Sequence, residues 1–216
     1  MELKGKKIHF LGDSITQGHG ASDEAHGFVS VFGRKTGALV RNYGVGGTRI
    51  AKQKTPSQWE WFDLDFNQRA DQMDADADVV VVFGGTNDFG HGDAPFGTMD
   101  DSTEFTFCGA VKCLLEKLIN RYPEARIVMA TPLHRLGEND PVNEIGIERP
   151  LLSEYVRAEK EIAAMYSVSV IDLWATSGIQ PCVPAQKELF TADGLHPNDK
   201  GAERVADVMI AFLKTL

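Results

Sequence analysis

The chain has 216 residues, a length suited to one domain. It is 43% hydrophobic, enough for a sizeable core, and carries 31 acidic against 22 basic residues for a net charge of −9. No Lys/Arg cluster stands out and no apolar run approaches the roughly 20 residues of a membrane span. Nucleic acid, an anionic membrane surface and membrane insertion are therefore disfavoured.

The opening segment, Met1-Glu2-Leu3-Lys4-Gly5-Lys6-Lys7, runs straight into a strand-like stretch and shows neither the apolar region nor the cleavage site of a signal peptide. Cys108, Cys113 and Cys182 have neither metal-site nor CxxC spacing. An odd cysteine count without a signal implies reduced thiols and a cytoplasmic location.

Short apolar runs then alternate with helical patterns. Strands are expected over 7–11, 39–43, 78–83, 125–130 and 168–173. The run Val79-Val80-Val81-Val82 implies a strand buried on both faces. Helices are expected over 28–37, 67–74, 104–122, 150–166 and 200–216. Strands separated by helices imply a parallel sheet covered on both faces, with every strand's C-terminal end on one edge. Ligands of such folds bind along that edge. Three long irregular stretches, 48–66, 84–103 and 131–149, each begin there.

Four loops at that edge carry residues with chemical potential. Gly12-Asp13-Ser14-Ile15-Thr16 follows the first strand and lifts Ser14 towards the start of a helix, where negative charge is favoured. Ser14 and Thr16 equally suit helix capping. Asn42-Tyr43-Gly44-Val45-Gly46-Gly47 allows a tight turn and close backbone approach, but does not match a dinucleotide fingerprint. Asn87, in Gly84-Gly85-Thr86-Asn87-Asp88, offers an uncharged carboxamide donor for an oxyanion, or an Asx turn. Asp193-Gly194-Leu195-His196-Pro197 sets a carboxylate three residues from an imidazole. A serine hydroxyl needs such a base, and the base an orienting acid. Together the four loops supply the parts for acyl transfer. The G-x-S-x-G elbow is absent, since Ile15 and Thr16 follow Ser14.

These blocks, in this order, resemble the SGNH hydrolases, also called GDSL-type esterases and lipases. The match spans nearly the whole chain, with Ile15 where the family name implies Leu. The resemblance implies a three-layer α/β/α fold, with a flavodoxin-like parallel sheet of five strands in the order 2-1-3-4-5. It implies Ser14 as nucleophile, His196 as general base and then acid, and Asp193 as its orienting partner. It further implies an oxyanion hole of the Ser14 and Gly47 N–H groups and the Asn87 side chain, with no cofactor and no metal.

Around this set, Asp13, His91, His134, Trp59 and Phe89 are candidate substrate-binding residues. Asp13 also suits a local backbone bond. The aromatic run Trp59-Glu60-Trp61-Phe62, with Phe89 and Phe96, suits a wall for a sugar ring or acyl chain, or packing under the loops. His9 reads as structural. His19 and His26 follow the nucleophile turn within reach of the pocket, but read more simply as solvated loop. Arg135 suits binding of a substrate carboxylate or phosphate, but reads more simply as part of a surface ion pair. The expected function is a serine esterase acting on a small-molecule ester with a short acyl group, such as acetyl on a sugar or metabolite. Lysophospholipase or thioesterase activity is the enzymatic alternative, and a carbohydrate- or metabolite-binding domain the non-enzymatic one. The long apolar-rich loops leave a homo-oligomer open, with no symmetry specified.

Overall fold

The computed structural model describes residues 1–216. Five strands, β1 (Lys7–Gly12), β2 (Leu39–Gly44), β3 (Val79–Phe83), β4 (Arg126–Ala130) and β5 (Ser169–Ile171), form one parallel sheet in the order β2-β1-β3-β4-β5. Nine helices accompany it: α1 (Ser14–Gln17), α2 (Phe28–Thr36), α3 (Phe66–Ala70), α4 (Thr86–His91), α5 (Phe107–Arg121), α6 (Leu152–Met165), α7 (Leu173–Thr176), α8 (Pro184–Phe190) and α9 (Asp199–Thr215).

The central strand β3 explains the layering. All five of its residues are buried. Side chains alternate across a strand, so Val80 and Val82 enter one core with residues of α3, α5 and α6, while Val79, Val81 and Phe83 enter a second with α2 and α9. In the second core the Phe10 ring meets Phe28 and Phe32 edge-on, at centroid distances of 5.6 and 5.3 Å. The expected order 2-1-3-4-5 is the order observed.

Several boundaries differ from expectation, each for a local reason. The helix expected over 67–74 begins one residue earlier, where Asp65 caps α3 by accepting from the Gln68 N–H, and ends sooner, at Ala70. The helix expected from 104 starts at Phe107, where Thr106 accepts from the Gly109 N–H. The 84–103 stretch contains α4, and the 48–66 stretch contains a 3-10 turn at Glu60–Asp63. No helix is long and apolar enough to cross a membrane.

Candidate active site

β1 ends in a sharp turn into α1. Asp13 caps that helix, its carboxylate accepting from the Ile15 N–H at 2.9 Å, and Ser14 is the first helical residue. Ser14 thereby stands at the C-terminal edge of the sheet. The loop between α8 and α9 brings His196 to the same point through an antiparallel bridge between Thr191 and Pro197.

The Ser14 hydroxyl donates to His196 Nε2 at 2.9 Å. On the other side of the ring, Nδ1 donates to the Asp193 carboxylate at 2.7 Å. The second Asp193 oxygen accepts from the N–H groups of Leu195 (2.9 Å) and His196 (2.8 Å). Partial burial would raise the Asp193 pKa, but the bonds from the His196 backbone and ring and from Leu195 outweigh it and hold it at about 2. An ionised carboxylate only accepts, so the Nδ1 proton is fixed and Nε2 is left as the acceptor facing serine. Burial lowers the His196 pKa despite Asp193, and the charges of His19 and Arg135 add to the lowering. The free imidazole is thus the resting form at neutral pH.

Three donors line the same cleft. The Ser14 and Gly47 N–H groups donate to no protein acceptor. Asn87 Nδ2 donates one hydrogen to the Thr48 carbonyl at 2.9 Å, which orients its amide and leaves the second hydrogen free. Gly47 has φ +77°, and a Cβ there would lie 2.2 Å from the Phe62 ring, so this turn needs glycine twice over. Gln17 holds the turn from below, its Oε1 accepting from the Gly46 N–H at 2.8 Å.

Buried polar residues brace these loops. Arg69 donates to the carbonyls of Gly12 (2.8 Å), Tyr43 (2.6 Å) and Leu64 (3.1 Å) and to the Thr48 hydroxyl (2.9 Å), tying the ends of β1 and β2 to the following loop. Burial lowers its pKa to about 10, so it stays charged at neutral pH. Asp88 accepts from the N–H groups of Ile50 (3.0 Å) and Ala51 (2.8 Å), joining α4 to the same loop. The 131–149 segment closes the far wall. Glu144 N–H donates to the Gly90 carbonyl at 2.9 Å, and Arg135 donates to the Thr86 carbonyl and to the Glu144 carboxylate at 3.0 Å.

The resulting cleft has a volume of about 530 Å³ and is lined by fourteen residues, four of them hydrophobic. Ser14, Gly47, Asn87 and His196 line it, together with His91, as do His19, Gln17, Trp61, Phe62, Arg135 and Glu144. The other substrate-binding candidates stand elsewhere. Asp13 is buried beneath α1, bonded to backbone. Phe89 is buried and packs edge-on against Tyr155. His134 lies on Trp174, ring centroids 3.7 Å apart, and Nδ1 donates to Glu138 at 2.9 Å. Trp59 is exposed and stacks on Trp61 at 5.0 Å, and is not among the residues lining the cleft. His19 is exposed in the turn after α1, as the solvated-loop reading has it, and its ring also packs edge-on against His196 at the cleft. One further reading is corrected in part: Arg135 makes the expected ion pair, with Glu144, but its own side chain is nearly buried at the cleft rather than on the surface. His9 is fully buried, as its structural reading requires. No group of three or more His, Cys, Asp or Glu residues is arranged to hold a metal ion.

With this geometry established, known proteins supply a context. The model of the GDSL-like lipase/acylhydrolase family matches residues 10–204. A curated acetylxylan esterase from Xylanibacter ruminicola is 24% identical, across 96% of this chain and 43% of the esterase. The chain therefore spans less than half the length of that relative. One solved structure is 36% identical with a TM-score of 0.86, covering 100% of this chain and 99% of the other. A solved structure from Lactobacillus plantarum is 28% identical with a TM-score of 0.82, covering 98% of each.

Proposed function

Because the chain belongs to the GDSL-like lipase/acylhydrolase family, we propose that it is a serine esterase cleaving a carboxylic ester through an acyl-enzyme. The observation that carries this reading is the unbroken relay Asp193–His196–Ser14, with contacts of 2.7 and 2.9 Å. In it, Ser14 Oγ attacks the ester carbonyl while His196 Nε2 takes its proton. Asp193 stabilises the imidazolium that forms. The N–H groups of Ser14 and Gly47 and the free Asn87 hydrogen receive the oxyanion. His196 then gives the proton to the departing alcohol, and the acyl group stays on Ser14. Water, deprotonated by His196, releases the acid and restores the serine.

The substrate is an ester with a short acyl group, such as acetyl, on a sugar or small metabolite. The cleft supports this by its mixed lining: Gln17, His91, Arg135 and Glu144 offer polar partners, while Trp61 and Phe62 offer aromatic surface. An acetylxylan esterase among the relatives points the same way. A long lipid or acyl-thioester chain would need an extended apolar channel, and only four of the lining residues are hydrophobic.

A series of 4-nitrophenyl esters from acetate to decanoate tests this reading. The expected kcat/KM falls with chain length, and acetate gives a burst of nitrophenol equal to the enzyme concentration when deacylation is slow. A rate that rises with chain length would replace it with the lysophospholipase or thioesterase reading.

A further inference from the structure

His91 is four residues from Asn87 on α4. Residues so spaced share one helical face, about 6 Å apart along the axis, and both line the cleft. His91 therefore faces the substrate one turn beyond the amide proposed to hold the oxyanion.

Its ring is held in a defined way. Arg49, almost wholly buried, donates from Nη1 to His91 Nδ1 at 2.8 Å. The same guanidinium is fixed by bonds from Nη2 to the Phe62 carbonyl (2.8 Å) and the Asp63 carboxylate (3.1 Å). A guanidinium has donors only, so Nδ1 must be the acceptor and the ring proton must sit on Nε2. Nε2 has no partner within the protein and is not buried. The Phe62 ring lies against the imidazole, centroids 5.5 Å apart. Protonating the ring would set a second cation beside Arg49. Burial first, then the charge of Arg49, push the His91 pKa down to about 4; Glu144 pulls the other way, and Arg135 adds a lesser lowering.

We infer that His91 is a specificity-determining residue. From a fixed Nε2–H it donates to a substrate oxygen beyond the reacting carbonyl, a hydroxyl, ether or carbonyl oxygen. Oxygen-bearing esters are thereby selected over aliphatic esters of the same shape. A histidine free to titrate near neutrality would switch between donor patterns across the working pH range. The Arg49 contact removes that switch and makes this side chain a constant neutral donor. The inference rests on the esterase reading and gives its substrate a required feature.

Two ring esters of one acyl group isolate the effect: a mono-O-acetyl methyl pentoside and cyclohexyl acetate, which has a similar outline and no ring oxygens. Wild type is expected to favour the pentoside, and His91→Phe to reduce that preference roughly 10–100-fold, the consequence of leaving one substrate oxygen without its donor. His91→Gln, which keeps an N–H near the Nε2 position, is expected to recover part of it. Nitrogen-15 NMR of histidine-labelled protein supplies a readout independent of activity. His91 should show the neutral Nε2–H tautomer unchanged from pH 5 to 8. No preference in wild type, an unchanged preference in His91→Phe, or an Nδ1–H or titrating His91 would each overturn the inference. If Ser14-dependent hydrolysis of 4-nitrophenyl acetate persists in those cases, the esterase reading survives. If that hydrolysis is absent as well, the esterase reading falls with it.

Discussion

His19 and His196 meet edge-on, ring centroids 4.4 Å apart and planes at 68°. The contact is built in. The His19 N–H donates to the Ser14 carbonyl at 2.9 Å. Gly20 follows at φ +95°, and a Cβ there would lie 2.7 Å from His196 Cβ. The α1 turn thus carries Ser14 at one end and a wall for its partner imidazole at the other.

The first prediction concerns pH. Burial, with smaller contributions from His19 and Arg135, lowers the His196 pKa below 6.5. The base form is therefore present at neutral pH, and the acid limb of kcat/KM should have its midpoint below 6.5. His19→Phe keeps a ring against His196 but removes a charge that opposes its protonation. The limb should then move to higher pH, whereas His19→Ala should also lower kcat by freeing the ring. A limb that stays in place in His19→Phe would show that His19 acts by packing alone.

Stability should fall as pH rises above about 4. Burial raises Asp13 to about 7 against the opposing Ile15 N–H and Arg69, and raises Asp88 to about 6 against the Ala51 and Ile50 N–H groups. Burial, reinforced by the charges of Asp88 and Asp13, raises Glu159 well above its ordinary value. Neither Glu159 oxygen has a hydrogen-bond partner. Between about pH 4 and 7 these three acids hold more protons in the folded state than in the unfolded chain, so their contribution to the unfolding free energy declines with pH; His91, His196 and His9, lowered by burial, oppose them below pH 6.5 but are outweighed. Asp193, held at about 2, acts oppositely but only in more acid solution: its contribution is lost as pH falls from 3.8 towards 2. Thermal unfolding should give a higher Tm at pH 5 than at pH 8, with a smaller difference in Glu159→Gln. A Tm rising steadily from pH 5 to 8 would contradict this.

Arg69→Met should destabilise the fold. It leaves the carbonyls of Tyr43 and Leu64 without the Arg69 donors, while Gly12 keeps its bond from the Val45 N–H. At about 1 kcal/mol or more for each unpaired group, the loss is roughly 2 kcal/mol. Urea denaturation measures it, and a change below about 1 kcal/mol would show that other donors replace the guanidinium.

Asn87→Ala should lower kcat by roughly 10²–10³ with a smaller change in KM, as expected of a donor used mainly in the transition state. A matched loss in KM alone would place Asn87 in ground-state binding instead.

The sequence carried much of this arrangement because its chemistry restricts residue type. An apolar four-valine run, glycine-rich strand ends and an acid–imidazole pair have few other uses together, and their positions along the chain imply one sheet edge. What was hidden depends on packing. The aromatic run at 59–62 is visible, but only the fold of the 3-10 turn at Glu60–Asp63 decides that Trp61 and Phe62 line the cleft while Trp59, exposed, stacks on Trp61. The helix α4 has weak local signals, with Gly90 inside it, and is anchored from outside by Asp88 bonding to Ile50 and Ala51. Gln17 and Glu144 look like ordinary polar residues until tertiary contacts place them. The Arg49–His91 contact joins residues 42 apart and has no sequence signature.

The central claim is that Ser14 is the nucleophile. Its most direct test is 4-nitrophenyl acetate hydrolysis by wild type and Ser14→Ala, purified alike and matched by circular dichroism. The account predicts turnover by wild type and a fall of roughly 10⁴-fold or more in the variant. Equal, rapid hydrolysis by both would contradict it.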